Sequence, residues 1–239
     1  MKKTQLYGIA AVVLVALQVT AGCANPLTDG QFTIFEPITY RSQSRYVNAI
    51  SGEHQRFDSM GFEEFDATAT STHKPESVYP GDYTDTYTAY ATQTSTLAAD
   101  RISAAGRADE QGPFYPSENH SQEAESSFSV SFTLNKDAAV ELNGELLAWF
   151  DTGGTNVGPS LTAVLFNGGE AVFEAAAPEL YDGYGEIEIS ETLTLEPGDY
   201  TLRAYASAAC DYYGDPDGGQ VGGGGYAEYS IELTIVDFL

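Results

Sequence analysis

The sequence predicts an all-β protein: an antiparallel β-sandwich, jelly-roll-like in arrangement, with about 10–12 strands. Three observations support this prediction. Apolar and polar residues alternate along much of the chain after residue 23, the alternating segments are rich in β-branched and aromatic residues, and turn signals containing Gly or Pro separate them. No segment after residue 23 shows the apolar period of about 3.6 residues that is typical of an amphipathic helix.

Residues 1–23 have the pattern of a signal peptide. Lys2 and Lys3 are basic, residues 6–19 form an apolar run, and small residues precede Cys23. A basic start, a short apolar region and a small-residue end are typical of secretory signals. The apolar run is shorter than the about 20 residues that a membrane-spanning helix requires. The sequence therefore predicts export.

Cys23 is a candidate for lipid attachment. It directly follows Ala21 and Gly22, and this end resembles the lipobox of bacterial lipoproteins, whose cysteine becomes the lipid-bearing first residue. The alternative is ordinary signal-peptidase cleavage, for example after Ala21, which leaves Cys23 without a lipid. The first interpretation predicts an outer-membrane or cell-surface lipoprotein that contacts the membrane only through its lipid anchor. The second predicts a secreted protein.

The remainder of the chain fits a single domain. We expect residues 24–38 to form an N-terminal linker and a first strand, and residues 39–239 to form one β-sandwich domain, since sandwiches often reach about 200–250 residues. A loop at residues 112–120 separates two halves of different composition. Because the first half is poor in large aliphatic residues, we expect both halves to contribute strands to one sandwich.

The alternation predicts twelve strands. It is clearest in residues 127–134, where every second residue is apolar, and it recurs in residues 186–189 and 229–235. In each segment we expect one face in the core and the Ser, Thr and Glu side chains in water. The predicted strands comprise residues 32–36, 39–50, 62–71, 83–96, 99–108, 126–135, 138–150, 160–167, 170–176, 186–195, 199–209 and 226–237.

The sequence predicts two turns. Asn167-Gly168-Gly169 lies between two short strands and predicts a hairpin, because such turns need residues that tolerate positive φ. Pro197-Gly198 predicts a tight turn where the chain passes from one sheet to the other. Tyr200 follows this turn and is a candidate for a tyrosine corner.

The charge of the chain excludes some classes of partner. The chain has 35 acidic and 10 basic residues, two of the latter in the leader, so that about −27 remains after residue 23. Residues 120–239 contain only Lys136 and Arg203 as basic residues. Such a surface repels nucleic acids and anionic membranes. The acid excess is explained by solubility in a salty environment, by calcium binding or by a basic partner.

Cysteine usage predicts no disulfide. Cys23 and Cys210 are the two cysteines of the chain, and Cys23 belongs to the leader region. A domain of this size buries enough apolar surface to fold without a disulfide. We expect Cys210 to be a small buried hydrophobic residue rather than a reactive thiol.

The loop at residues 211–220 is a candidate calcium site. Asp211, Asp215 and Asp217 lie among glycines, and calcium prefers six to eight oxygen ligands from carboxylates and carbonyls. The spacing departs from the EF-hand register. A flexible acidic loop explains the same residues, so calcium is a possible rather than a required cofactor. Residues 151–156 form a weaker candidate.

Four tyrosines are candidates for carbohydrate binding. They are expected in loops, where exposed aromatic rings beside polar groups can stack against sugars, although simple loop packing explains them equally. They are Tyr181, Tyr184, Tyr212 and Tyr213. Trp149 lies in an apolar run, residues 146–150, and is expected in the core.

The sequence does not favour catalysis. Glu63, Glu64 and Asp66 provide paired carboxylates of the kind that glycosidases use, but such pairs arise freely in a chain with 35 acids. The three histidines lack a zinc-binding spacing, and no nucleophile-elbow or phosphate-loop motif is present. We therefore expect no enzyme.

Several segments together resemble a family of secreted bacterial proteins. They comprise Ser44 to Asn48, Gly61 to Asp66, Ala91 to Ser95, Ser127 to Leu134 and Leu195 to Leu202. On these segments the chain resembles the uncharacterised β-sandwich proteins of the PEP-CTERM type, which carry a C-terminal sorting tail or another anchor in its place. The resemblance covers nearly all of residues 40–237. It implies association with the cell surface or with exopolysaccharide, and it supplies no catalytic residues. The chain departs from the family in ending at Leu239 without a Pro-Glu-Pro tail, so that the expected anchor is Cys23.

These observations predict a non-catalytic, exported, lipid-anchored protein with a structural or interaction role at the cell surface or in the extracellular matrix. The alternative is a carbohydrate-binding module, stabilised by calcium if the acidic loop binds it. The expected partner is a polysaccharide or a surface protein. Edge strands rich in Thr and Tyr also leave self-assembly open.

Overall fold

The computed structural model describes residues 38–74, 86–112, 120–151, 159–177, 183–212 and 224–239, with the backbone alone for residues 151 and 212. These residues belong to one compact unit, residues 36–239. Within the described ranges the regular elements are all β-strands. In the same part of the chain, no helix has the length and apolar character needed to cross a membrane.

Twelve strands are described. They are β1 (Ile38–Ser51), β2 (Glu53–Ser59), β3 (Phe65–His73), β4 (Tyr87–Leu97), β5 (Arg101–Gln111), β6 (His120–Leu134), β7 (Ala138–Asp151), β8 (Ser160–Asn167), β9 (Glu170–Ala176), β10 (Gly183–Leu195), β11 (Gly198–Tyr212) and β12 (Gly224–Phe238).

The strands form two six-stranded antiparallel sheets that pack face to face. Sheet A has the order β2-β1-β6-β11-β8-β9, and sheet B has the order β10-β7-β12-β5-β4-β3. From β5 onwards the chain passes repeatedly from one sheet to the other, as in a jelly-roll-like arrangement. The predicted antiparallel β-sandwich is thus confirmed.

The core lies between the two sheets and follows the predicted alternation. In β6, Phe128, Val130, Phe132 and Leu134 are buried, while the serines between them are half exposed. Both halves of the chain contribute to the fold, because β1 and β2 join sheet A and β3 to β5 join sheet B. The buried side chains of this first half are mostly small, and they include Ala49, Ala69, Ala89 and Ala91.

The strand predictions differ from the structure in one element. β2 was missed, because almost all of its residues are exposed on both faces and therefore show no alternation. The predicted strand at residues 32–36 lies outside the described residues. Each of the other eleven predicted segments overlaps an observed strand.

Both predicted turns are present. Gly168 and Gly169 have φ angles of 57° and 104° in the β8–β9 hairpin, conformations that glycine adopts without steric cost. Pro197 lies between β10 of sheet B and β11 of sheet A, so the chain does change sheets there. The hydroxyl of Tyr200 donates a hydrogen bond of 2.8 Å to the carbonyl of Glu196, which is the tyrosine-corner contact.

The side chain of Cys210 is buried, as predicted, with 2% of the residue exposed.

Candidate functional site

Trp149 lies on the outer surface of sheet B and not in the core. Its neighbours Ala148 and Phe150 are buried, whereas 37% of Trp149 is exposed. Successive side chains of a strand point to opposite faces, so Trp149 lies on the face opposite to its neighbours. The core assignment of Trp149 was therefore wrong. Because residues 146–150 are all apolar, they show no alternation that indicates which face is buried.

Backbone pairing places Trp149 in line with aromatic residues of other strands. Trp149 of β7 pairs with Tyr184 of β10 on one side and with Tyr226 of β12 on the other. Tyr226 pairs with Asp109 of β5, and Asp109 pairs with Tyr90 of β4. Directly paired residues lie on the same face with Cβ atoms about 4.5–5.5 Å apart. We call this line of four aromatic residues and one carboxylate the aromatic row.

The rings of the row are partly ordered by contacts with one another and with neighbouring side chains. The Trp149 and Tyr226 rings stack with centroids 6.2 Å apart and an interplanar angle of 25°. Tyr184 is 55% exposed, and its hydroxyl donates a hydrogen bond of 3.0 Å to Oε2 of Glu186. Partial desolvation, followed by this hydrogen bond, raises the pKa of the Tyr184 hydroxyl.

Arg107 of β5 supports the centre of the row. Its guanidinium lies over the ring of Tyr226, 4.6 Å from the centroid. It donates hydrogen bonds of 2.5 Å to Asp109 Oδ2 and 3.4 Å to Glu228 Oε2. Burial alone would lower the pKa of Arg107, but the hydrogen bond to Asp109 and the two acidic neighbours raise it overall. Arg107 thus stays charged and holds both carboxylates beside the Tyr226 ring.

The outer face of sheet B combines aromatic rings with charged groups along the row. Aromatic faces hold electron density that attracts polarised C–H groups and cations, and aromatic contacts contribute about 0.5–1.5 kcal/mol beyond the area they bury. The charged groups of Asp109, Arg107, Glu186 and Glu228 add hydrogen-bond acceptors and donors next to the rings. The arrangement can hold an elongated ligand that has flat C–H faces and hydroxyl groups.

The structure describes only some of the other predicted site residues. The expectation of a loop was wrong for Tyr184 and Asp211, because pairing with Trp149 extends β10 over Tyr184 and pairing with β6 extends β11 over Asp211. Oδ1 of Asp211 accepts a hydrogen bond of 2.5 Å from the Ser121 hydroxyl. Tyr212 ends β11, and its side chain is not among the described atoms. The other predicted residues lie outside the described ranges, namely Cys23, Tyr181, Tyr213, Asp215 and Asp217. Across the described ranges, no three His, Cys, Asp or Glu side chains are placed to hold a metal ion.

Sequence reasoning missed Tyr90, Arg107 and Tyr226. A signal for Tyr226 was present in the sequence. Tyr226 alternates with buried residues of β12 and so shares the water-facing side of the strand with Glu228 and Ser230. An aromatic residue at one of the polar positions of an alternating strand is expected to expose its ring. Tyr184 shows the same pattern in β10, where it shares its phase with Glu186.

Comparisons with known proteins do not identify a family. No family model and no curated protein matches the chain. One solved structure, of the infectious bursal disease virus Gx strain, matches at 10% identity over 82% of this chain and 65% of that chain, with a TM-score of 0.22. Another, the GH31 α-xylosidase from Xanthomonas citri, matches at 8% identity over 84% of this chain and 28% of that chain, with a TM-score of 0.17. The chain thus spans less than two thirds of either chain, and we draw no functional conclusion from these matches.

Proposed function

We propose that this protein is a non-catalytic binding module at the cell surface, and that it binds a polysaccharide along the aromatic row of sheet B. The aromatic row is the observation that supports this proposal most directly. The outer face of a sandwich in water is normally polar, and single exposed apolar residues need no explanation. Four aromatic side chains in one line across a sheet, three of them on the adjacent strands β10, β7 and β12, do need an explanation.

The geometry of the row fits a repeating ligand. Neighbouring strands lie about 4.8 Å apart, so Tyr184, Trp149 and Tyr226 present their rings at regular intervals perpendicular to the strands. Asp109 of β5 separates these three rings from Tyr90 of β4. A polysaccharide presents pyranose rings at regular intervals, each with a C–H face that can stack on an aromatic ring and an edge of hydroxyl groups. Asp109 and Glu186 can accept hydrogen bonds from such hydroxyls, and Arg107 can donate to them.

The charge of the protein favours a neutral polysaccharide. The formal net charge of the whole chain is −25 at pH 7, and polyanions are repelled by such a surface. Neutral sugars contribute hydroxyl and C–H contacts without this repulsion. The proposed ligand of the aromatic row is therefore a neutral, pyranose-based polymer.

A role without catalysis agrees with the position of the row. Catalytic acids generally work in a concave site in which burial shifts their pKa values. The aromatic row crosses an open sheet face instead. Arg107 forms an ion pair with Asp109 at 2.5 Å and one with Glu228 at 3.4 Å, so both carboxylates are held by a cation on this open face. This arrangement suits hydrogen bonding to sugars better than proton transfer.

The test is a polysaccharide binding experiment on the full chain. A glycan array would identify a ligand, and affinity electrophoresis would compare the wild type with Trp149→Ala and Tyr226→Ala. We expect each substitution to weaken binding about tenfold or more. Phe57→Ala is the matched control, because Phe57 is 49% exposed on β2 of the other sheet. Binding that is unchanged in both row variants, or an array without any bound glycan, would contradict the proposal.

Export and anchoring at Cys23 are part of the proposal. The signal-like residues 1–23 and the lipobox-like end support them, as does the resemblance to exported sandwich proteins. Intact-mass analysis of the mature protein is the test. A diacylglyceryl-bearing Cys23 at the new N-terminus is the expected result, and an unmodified N-terminus near residue 22 would mean secretion without an anchor.

Calcium stabilisation is a separate and weaker proposal. It depends on Asp211, near the end of β11, providing calcium ligands together with Asp215 and Asp217. Thermal melting in calcium and in chelator tests it: a higher melting temperature in calcium is expected, and identical curves would contradict it.

Self-assembly through strand edges has less support. The edge strands of sheet A, β2 and β9, are each seven residues long. β9 contains Glu170 and Glu174, and the edge strand β10 of sheet B contains three glutamates. Short strands and charges are features that discourage edge-to-edge pairing.

A further inference from the structure

A cleft of about 520 Å³ lies on the outer face of sheet A, opposite to the aromatic row. Its floor includes Ser42 of β1, Ser131 of β6 and Thr201 of β11, which pair across neighbouring strands. The hydroxyls of Ser131 and Thr201 are hydrogen bonded at 2.9 Å. The volume lies within the about 300–1,000 Å³ typical of small-ligand sites. The floor is polar and rich in hydroxyl groups.

Arg41 and Arg203 both line this cleft. Arg41 is the extra residue of a β-bulge between Tyr40 and Ser42, and bulges commonly redirect a side chain. Arg41 forms an ion pair with Oδ2 of Asp199. Oδ1 of Asp199 accepts a hydrogen bond of 2.6 Å from Thr133. The hydrogen bond from Thr133 is the largest cause that lowers the pKa of Asp199, and the contact with Arg41 lowers it further.

Arg203 is held differently. Its guanidinium lies over the ring of Phe166, 5.1 Å from the centroid. Among the side chains that the structure describes, no carboxylate forms an ion pair with Arg203. Since Asp199 offsets Arg41, the charge of Arg203 remains uncompensated within the cleft. A positively charged cleft in a protein of net charge −25 indicates an anionic ligand group.

The rim of the cleft leaves room for a ligand. The β8–β9 turn borders it through Gly168 and Gly169, and no atom lies within 4 Å of the position that a Cβ would take on either residue. The turn is fixed to β11, because the amide of Gly168 donates a hydrogen bond of 3.2 Å to the carbonyl of Asp199. The cleft is therefore open beside the β8–β9 turn, and a backbone hydrogen bond fixes the position of this turn.

We propose that this cleft binds a sugar carboxylate, specifically a single hexuronic acid unit. The Arg203 guanidinium would pair with the carboxylate through two parallel hydrogen bonds. The hydroxyls of Ser42, Ser131 and Thr201 would contact the hydroxyls of the sugar. A monovalent ligand suits one uncompensated arginine, and the remaining negative charge of the protein opposes a polyanion. This site does not depend on the aromatic row, since it lies on the other sheet.

Calorimetric titration of the full chain with D-glucuronate and with D-glucuronamide tests this proposal. The two probes share their shape and hydroxyls and differ in the charge of one group. We expect glucuronate to bind with a Kd of about 1 mM or below and at least about tenfold more tightly than glucuronamide. We expect Arg203→Gln to abolish this preference and Arg203→Lys to reduce it.

Arg101→Gln is the matched control, because Arg101 is an exposed arginine of sheet B that is paired with Glu232 at 3.8 Å. It should retain the preference for glucuronate. Three results would overturn the proposal: equal affinity for the two probes, an unchanged preference in Arg203→Gln, or no heat of binding with millimolar glucuronate. Exposed Arg203 can be replaced without opening the core, so loss of binding should occur at an unchanged melting temperature.

Discussion

The rings of Trp149 and Tyr226 stack at a centroid distance of 6.2 Å on neighbouring strands of sheet B. This distance lies within the about 4.5–7 Å range of favourable aromatic pairs. The contact restricts both rings before a ligand binds, so less rotamer freedom remains to be lost on binding. The pair therefore forms a preorganised centre of the aromatic row.

Arg107→Gln should weaken polysaccharide binding with little effect on stability. The substitution removes the guanidinium over Tyr226 and leaves Asp109 and Glu228 without their cation. Because partly exposed ion pairs contribute about 0–1 kcal/mol to folding, we expect a melting temperature within a few degrees of the wild type. Affinity electrophoresis should show weaker binding. Arg101→Gln, on the same sheet but outside the row, should bind as the wild type does; equal losses in both variants would argue against a specific role for Arg107.

The sequence predicted the sandwich well where one face of a strand is buried. In β6 the alternation of apolar residues with Ser and Thr from Phe128 to Leu134 identified both the strand and its inward face. The Pro197 turn and Tyr200 identified a change of sheets. β2 could not be predicted in this way, because a strand exposed on both faces has no alternation.

The aromatic row could not be predicted from any one segment. Its existence depends on the register that brings Tyr184, Trp149 and Tyr226 opposite one another. Register is a long-range property, and a shift by one residue reverses the two faces of a strand. The sequence placed Tyr184 among the candidate residues, but it could not show that Trp149 lies beside it.

Gly106→Ala should destabilise the fold. A Cβ on Gly106 would overlap the Ser126 hydroxyl and lie 2.5 Å from Cζ of buried Tyr229. Overpacking of this kind costs about 1–3 kcal/mol, which urea denaturation would measure as a lower free energy of unfolding. In Gly61→Ala the new Cβ has no neighbour nearer than 3.8 Å, so the expected change is within about 0.5 kcal/mol. Equal stability of both variants would show that Tyr229 can move to accommodate the new methyl group.

Arg45→Met should also destabilise the fold. Arg45 is 1% exposed, and its guanidinium donates hydrogen bonds of 2.7 Å to the carbonyl of Glu63 and 2.5 Å to the carbonyl of Gly61. It also contacts the hydroxyls of Ser59 and Ser95. Loss of these donors leaves partly buried acceptors unpaired, so we expect a decrease of about 2–4 kcal/mol in the free energy of unfolding.

The matched control for Arg45 is Arg56→Met. Arg56 is an exposed arginine of β2 that is paired with Asp58 at 3.6 Å. Its replacement should change the free energy of unfolding by no more than about 1 kcal/mol. If both variants lose the same small amount in urea denaturation, the hydrogen bonds of Arg45 do not stabilise the segment between β2 and β3.

Glu123→Gln should stabilise the protein at neutral pH more than at acidic pH. Burial is the main reason that the pKa of Glu123 lies above its ordinary value of 4.5. The negative charge of Glu125 and a hydrogen bond with Glu125 raise this pKa further. The folded state therefore binds this proton more tightly than the unfolded chain, and ionisation of Glu123 costs stability above the raised pKa. This cost disappears as the pH falls through the raised pKa and below 4.5.

Melting curves at pH 7 and pH 4 would measure the effect of Glu123→Gln. Glu174→Gln removes one charge from exposed strand β9 and controls for the general relief of charge repulsion. We expect Glu123→Gln to raise the melting temperature at pH 7 by more than this control does, and the two variants to converge at pH 4. A gain that is independent of pH would contradict the assigned cause.

The fluorescence of Trp149 tests the central claim most directly, because it is the single tryptophan of the chain. A polysaccharide that stacks on the aromatic row must remove water from the indole, so its addition should shift the emission to shorter wavelength and saturate with the same Kd as affinity electrophoresis gives. Tyr226→Ala should weaken both signals in parallel. Unchanged emission while the polysaccharide binds would place the binding site elsewhere and contradict the account.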